Sequence, residues 1–440
     1  SGWNSEGYDI PYTVNRITRI LSKDDTRKFC LWGQFPKPRM FERFGAEQQT
    51  YDLIGRVHMD YMQLYRKYTY EERHSYSLDA IAEHELGERK TQFEGTLDQL
   101  YNQHFKTFIA YNRQDTALLD KLDKKLQFLD LANTLAHANT VLLQTTMGAV
   151  AVTEQAIINE AHERGVVVPN RKQRSPNSDD TQAAGAYVAY PKKGMSEWIG
   201  SVDINSLYPS AIRAMNMGPE TVLGQLRPVM TDRYIKDKTN SGSSFAAAWE
   251  GLFGSLEYTA VMEQSPGTEI TIDWQNGESD VYSASQIWSI VFDSNRPWIL
   301  TANGTILSYE KKGIIPGLLE RWYAERKEMQ AKKKDAKDKK EEAFWDKRQL
   351  VKKINLNSLY GAILNPGCRF FDHRIGQSTT LTGRAIARHM DAHINECITG
   401  VYDHTGDAII YGDTDSCYFT AWPVIKKEVE EGRMGWNKET

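Results

Sequence analysis

Apolar and polar positions along the chain change period in a way that separates strands from helices. Trp198 to Ile204 has strand character, and Pro209 with Ser210 supplies a first helical turn after it. Ile409 and Ile410 read as the end of a buried strand and Cys417-Tyr418-Phe419 as its return. That pattern predicts a β-hairpin with Gly412, Asp413, Thr414 and Asp415 at its turn. Glu269 to Trp274 alternates inside a Gly/Ser-rich region, 222–310. Two longer segments, roughly 314–334 and 341–363, predict antiparallel helices joined by a lysine-rich tip from Asp335 to Lys340. A mostly helical connector runs to about 165, and Pro169 to Thr181 is a polar surface loop. No internal repeat is evident. The mixture predicts an α+β protein.

Chemistry concentrates at three of these places. A tight turn that presents Asp413 and Asp415 holds like charges close, which is costly unless a cation sits between them. Few anionic oxygen ligands suit magnesium, which keeps its other positions for waters and phosphates. On this stretch alone, a solvated hairpin tip explains the same residues. Asp203 ends the earlier strand, where backbone N–H groups of the following turn are free to meet phosphate oxygens. In a helix, Lys353, Asn357 and Tyr360 fall at i, i+4 and i+7, on one face. A cation, an amide and an aromatic ring suit a nucleotide better than a core.

The three segments, Asp203-Ile204-Asn205-Ser206-Leu207-Tyr208-Pro209-Ser210, Lys353 to Gly361, and Tyr411-Gly412-Asp413-Thr414-Asp415-Ser416, resemble motifs A, B and C of the family B DNA polymerases. Near the amino terminus, Asn4 to Asp9 resembles the second motif of the 3′–5′ proofreading exonuclease, and Tyr111 to Asp115 the third. On a helix Tyr111 and Asp115 lie one turn apart, so phenol and carboxylate would address one water. The wording around the motifs is similar to the replicative polymerases of large tailed bacteriophages.

The resemblance implies a partial ribonuclease H-like exonuclease domain (1–130), a helical connector and loop (131–184), a palm built on an antiparallel sheet (185–312 and 366–440) and helical-hairpin fingers (313–365). It implies template-directed addition of deoxynucleotides to a primer 3′-hydroxyl in viral DNA replication, with Asp203 and Asp415 holding two Mg2+ ions (Mn2+ as substitute) and Asp413 beside them. Backbone amides of Ser206 and Leu207 would meet phosphates, and Arg326 and Lys353 would neutralise them. Tyr208 would exclude a 2′-hydroxyl; Asn357 and Tyr360 would pack on the nascent base pair, and Gly361 would leave room for the template base. Gly185-Ala186-Tyr187 occupies the place of a small-residue segment that touches template, although a plain turn explains it equally. Partners implied are primer–template DNA, dNTPs and a sliding clamp, in the cytoplasm of an infected bacterial host.

Departures from the family pattern accompany the matches. The first exonuclease motif is expected upstream of Asn4, and a thumb after residue 440, so the chain reads as an internal fragment or one piece of a split enzyme. A binding module without catalytic competence of its own is the alternative. In the fingers the family often shows R-x-x-x-K, whereas Arg326 is followed by Gln330; Lys332 or Lys333 would replace the lysine only if the helix turns differently.

Composition narrows the classes further. Forty per cent hydrophobic and 25% charged residues over 440 positions allow two or three domains with sizeable cores. No apolar run approaches a membrane span. Four scattered cysteines, Cys30, Cys368, Cys397 and Cys417, argue against a zinc site or a disulfide framework. Net charge of −4 gives no sign of a nucleic-acid partner, but Arg326 to Lys353 holds twelve Lys/Arg against six Asp/Glu. Such density is also found on merely solvated helices.

Overall fold

The computed structural model describes all residues except 44, 70, 172–184, 229–266, 268, 434 and 436–440. It divides into two compact units, Ser1–Val152 and Thr153–Thr440. It is a mixed α/β structure with antiparallel sheets, as the patterning predicts. Among the described residues no helix is long and apolar enough to cross a membrane.

The first unit is mainly helical: α1 (Asp9–Ile20), α2 (Tyr61–Tyr68), α3 (Leu78–Leu86), α4 (Leu97–Gln103), α5 (Phe105–Leu126) and α6 (Phe128–Asn139), with one hairpin, β1 (Lys37–Arg43) and β2 (Ala46–Asp52). Helix starts follow their caps. The Asp60 carboxylate accepts from Met62 N, the Ser77 hydroxyl from Ala80 N, and Thr96 with Gln99 forms a capping box. Tyr61, Leu64 and Tyr65 of α2 are fully buried, and Phe128 of α6 lies 6.2 Å from both tyrosine rings. An aromatic core therefore holds α2 on α6.

In the second unit α7 (Ala149–Glu163), which begins in the first, leads to a three-stranded sheet of order β3-β10-β9: β3 (Ile199–Asp203), β9 (Ile409–Asp413) and β10 (Ser416–Thr420). Helix α8 (Leu207–Ala214) follows β3 directly. A five-stranded antiparallel sheet, order β6-β5-β4-β8-β7, comprises β4 (Val222–Pro228), β5 (Glu269–Trp274), β6 (Ser279–Ser283), β7 (Trp298–Leu300) and β8 (Thr305–Ser308), with the short α9 (Ala284–Trp288) after β6. The expected helical pair is α10 (Ile314–Lys334) and α11 (Lys339–Ile363). Helix α11 starts two residues before the patterning places it, because the Asp338 carboxylate accepts from Lys340 N and Glu341 N. Helices α12 (His373–Thr399) and α13 (Trp422–Glu430) complete the unit.

One core cluster joins Ile212 of α8 to Leu319 and Trp322 of α10, Leu356 and Leu359 of α11 and Ile375 of α12. It fixes the hairpin base beside the start of α8. A second cluster packs the five-stranded sheet on Leu381 of α12. The hairpin expectations need correction. Ile409 and Ile410 begin their strand rather than end it, and Gly412 and Asp413 stay paired with Cys417 and Ser416, so only Thr414 and Asp415 form the turn. The polar loop expected at Pro169 to Thr181 falls outside the described residues from 172 onward.

Candidate active site

Cross-strand register assembles the acidic site. Ser416 of β10 pairs with Asp203 on one side and with Asp413 on the other. Directly opposed residues of antiparallel strands share a face, so these two carboxylates flank Ser416 on one surface, about 9–10 Å apart at the backbone. Asp415 sits in the turn one residue earlier, where its carbonyl accepts from Ile204 N (2.7 Å) and its N–H meets the Asp413 carbonyl (2.6 Å). Thr414 takes a positive φ of 58°, unusual for a β-branched residue. Its N–H donates to the Tyr187 carbonyl (2.8 Å), and Ala189 N and Lys192 N continue this edge pairing onto Gly412 and Ile410. The segment 187–192 thus holds the hairpin from its open side.

The three carboxylates differ in environment. Asp413 is exposed and accepts from the Thr414 hydroxyl (2.9 Å) and the Tyr411 hydroxyl (3.5 Å). Among the described residues no other side chain bonds the carboxylate of Asp203 or Asp415, and that of Asp415 meets its own backbone N–H. Burial first, then the charges of Asp203 and Asp413, raise the Asp415 carboxyl above its ordinary value. Asp203 and Asp415 are hard oxygen donors that repel each other and, among the described residues, have no paired cation, an arrangement that fits a divalent metal ion. Among the described residues no three acidic, His or Cys side chains are arranged to enclose one, so these carboxylates would supply only part of its shell.

Around the acids lie the other predicted residues. Ser206, at φ 57°, caps α8 without a side-chain acceptor, which leaves the N–H groups of the first turn, Leu207 among them, directed out of the helix end. Tyr208 stacks on Tyr360, ring centroids 4.2 Å apart and planes 17° apart. The Tyr360 hydroxyl bonds that of Thr380 (2.6 Å), and a Cβ built on Gly383 would lie 2.8 Å from the Tyr208 ring. Burial raises both phenols, and Tyr208 is raised further by Tyr360 and Asp415. On α11, Asn357 and Gly361 are exposed, with open space around Gly361, and Lys353 is half-buried. Lys352 turns instead to Glu325 of α10 (2.5 Å). Arg326 donates from Nε to Gln349 Oε1 (3.4 Å).

In the first unit, Asn4 has a positive φ and its N–H, with that of Glu6, donates to the buried Asp60 carboxylate. Asp9 opens α1 and is exposed. Tyr111 and Asp115 lie on α5, but the group between them is the Lys90 ammonium, 2.7 Å from Asp115 Oδ2 and 3.4 Å from the Tyr111 hydroxyl. Burial pulls this ammonium down, and Asp115 and Tyr111 more than reverse it. Among the described residues no hydrogen bond or ion pair connects Asp9 with Tyr111 or Asp115. Lys90, Asp60, Thr380 and Gly383 carry no local sequence signal, since each earns its place by a contact distant in sequence.

Comparison with known proteins gives a consistent picture. Residues 140–429 match the model of DNA polymerase family B, and residues 1–81 that of the DNA polymerase family B exonuclease domain. The chain is similar to the DNA-directed DNA polymerase of Escherichia phage RB69, 27% identical over 441 residues, covering 97% of this chain and 47% of that protein. It is 26% identical over 446 residues to the DNA-directed DNA polymerase of Enterobacteria phage T4, with the same coverage. The DNA polymerase of Paramecium bursaria Chlorella virus NY2A is 29% identical over 445 residues, 94% of this chain and 41% of that protein. The chain spans about half the length, or less, of these curated relatives.

Proposed function

The chain belongs to DNA polymerase family B, and from that premise we propose that it carries the nucleotide-adding centre of a viral replicative polymerase, acting on primer–template DNA and dNTPs in the infected host's cytoplasm. The observation that carries this reading is the juxtaposition of Asp203 and Asp413 about Ser416, with Asp415 at the adjoining turn and, among the described residues, no cation paired with them. We assign the three-stranded sheet and its surroundings to a palm, α10 and α11 to fingers, and the first unit to the exonuclease and its connector.

Two magnesium ions held by Asp203 and Asp415 would lower the pKa of the primer hydroxyl and steady the leaving pyrophosphate. The chain's own groups do the rest. Asp413, which accepts from the Thr414 hydroxyl, lies beside Asp203 and Asp415 and supports the charge. Amides at the start of α8 receive phosphate oxygens, and Arg326 and Lys353 neutralise charge from the fingers. Tyr208, braced by Tyr360 and hemmed in by Gly383, presents a fixed wall to the sugar and favours a deoxynucleotide. Asn357 and Gly361 face the space left for the base pair. Asn4, Asp9, Tyr111 and Asp115 belong to the proofreading part, with Lys90 placed to meet a phosphate or a water there.

Primer extension with magnesium tests this, for the chain alone and mixed with a carboxy-terminal fragment of a relative, with Asp415→Ala as control. Extension lost in the variant supports the reading. Extension that survives Asp415→Ala above about a thousandth of wild type contradicts it.

A further inference from the structure

Helix α12 carries ligand chemistry that the polymerase reading leaves unused. His389, His393 and Cys397 stand at i, i+4 and i+8 and follow one another along a single exposed stripe. Cys397 is exposed, whereas Cys30, Cys368 and Cys417 are buried. Its sulfur lies 3.9 Å from His393 Nε2. The other ring nitrogen, His393 Nδ1, is 3.2 Å from Glu396 Oε2. An ionised carboxylate only accepts, so in the neutral ring the proton sits on Nδ1 and the bare Nε2 faces the thiol. A carboxylate on the far nitrogen is the arrangement that orients metal-ligating imidazoles.

Zinc bonds of about 2.0 Å to nitrogen and 2.3 Å to sulfur, across a tetrahedral angle, put the two ligand atoms roughly 3.5 Å apart. The observed 3.9 Å is close to that bite, and long for a hydrogen bond from a weak S–H donor. His389 stands apart from the pair. It is about 12 Å along the axis from Cys397, beyond the span of one ion. Its ring stacks on that of His393 with centroids 6.2 Å apart and planes 13° apart, so their in-plane lone pairs do not converge, and its Nδ1 is bonded to the Tyr402 hydroxyl (2.7 Å). The helix end favours a cation. Its last turn, Glu396-Cys397-Ile398-Thr399, holds no basic side chain, and the terminal carbonyls before Gly400 add partial negative charge.

We propose that His393 and Cys397 bind one borderline-soft divalent cation of the zinc class, with Glu396 as the positioning residue for the imidazole and water in the two remaining positions. The thiol gives up its proton to solvent as the metal–sulfur bond forms. Imidazole and thiolate select against Mg2+ and Mn2+, so the site is distinct in chemistry from the oxygen donors Asp203 and Asp415. Cysteine spacing argues against a zinc site because it shows no second thiol; the partner of Cys397 is a histidine one helical turn away. The inference goes beyond the polymerase reading and is measured without nucleotide addition, so either can fail without the other.

The test is titration of the whole chain, reduced and in excess Mg2+, with Co2+ as a spectroscopic stand-in for Zn2+. Wild type develops a thiolate-to-cobalt charge-transfer band that Zn2+ displaces. Zn2+, unlike Mg2+, also shields the exposed thiol from a disulfide reagent. Cys397→Ser and His393→Gln each abolish the band. Glu396→Gln, which keeps the size but removes the charged acceptor, weakens Co2+ binding about tenfold. His389→Gln leaves it unchanged. All four side chains are exposed, so the variants fold, with circular dichroism as the control. A band that survives Cys397→Ser or His393→Gln would overturn the proposal. So would equal affinity in Glu396→Gln, loss of binding in His389→Gln, or a wild type with neither band nor thiol protection.

Discussion

Asp391 offers the sharpest link between burial and a measurable quantity. It lies on α12 beneath the β9–β10 hairpin at 1% exposure, and a Cβ built on Gly412 would sit 3.4 Å from its Oδ2. No N–H or O–H donor among the described residues reaches either carboxylate oxygen, which leaves the weak S–H donor of Cys417. Burial pushes the carboxyl up to about 6, with the Cys417 thiol opposing it. In the unfolded chain the value is about 3.9. The folded state thus binds the extra proton between these values, and stability falls as pH rises from about 4 to about 6. Two units correspond to roughly 3 kcal/mol lost at pH 8 and only about 0.5 kcal/mol at pH 4. Asp391→Asn removes the charge at equal size. It should therefore stabilise the protein by about 2–3 kcal/mol at pH 8, about 3–5 °C in Tm for a unit of this size, and give almost no gain at pH 4. Differential scanning fluorimetry across this range is the assay. Equal stability at pH 8, or a gain that does not shrink towards pH 4, would refute the reasoning.

Other substitutions probe the remaining contacts. Gly383→Ala places a methyl against the Tyr208 ring, which should relax discrimination between dNTP and rNTP more than it changes stability; competition incorporation measures it. Tyr360→Phe removes the bond to Thr380, whose hydroxyl still reaches the Gly376 carbonyl, and should cost about 1 kcal/mol in urea unfolding. Lys90→Met strands Asp115, one oxygen of which is already buried and unpartnered, and should cost about 2 kcal/mol, partly recovered by adding Asp115→Asn.

Local pattern carried the second unit's elements well where one face is buried. The α10–α11 pair was legible because its apolar positions recur at helical spacing and its tip is all charge; only the Asp338 cap shifted the start of α11. Local pattern misplaces the hairpin turn because Gly412 and Asp413 are ordinary turn residues. They stay in the strand because β10 pairs with them and because Tyr187 holds Thr414 at a positive φ, both contacts distant in sequence. The acids of the candidate site could be named from sequence, but their register about Ser416 could not. Lys90 and Asp391 look like ordinary charged positions until packing shows which face of each segment is covered. The same holds for Gln349, whose partners come from both helices of the hairpin.

In the proposed function Asp203 and Asp415 together hold divalent cations. Electron paramagnetic resonance of Mn2+ titrated into the chain with primer–template and a dNTP measures that directly, beside the Asp203→Asn/Asp415→Asn double variant. Bound Mn2+ in wild type, lost in the folded double variant, is the predicted result. Equal Mn2+ binding by both proteins would contradict the account.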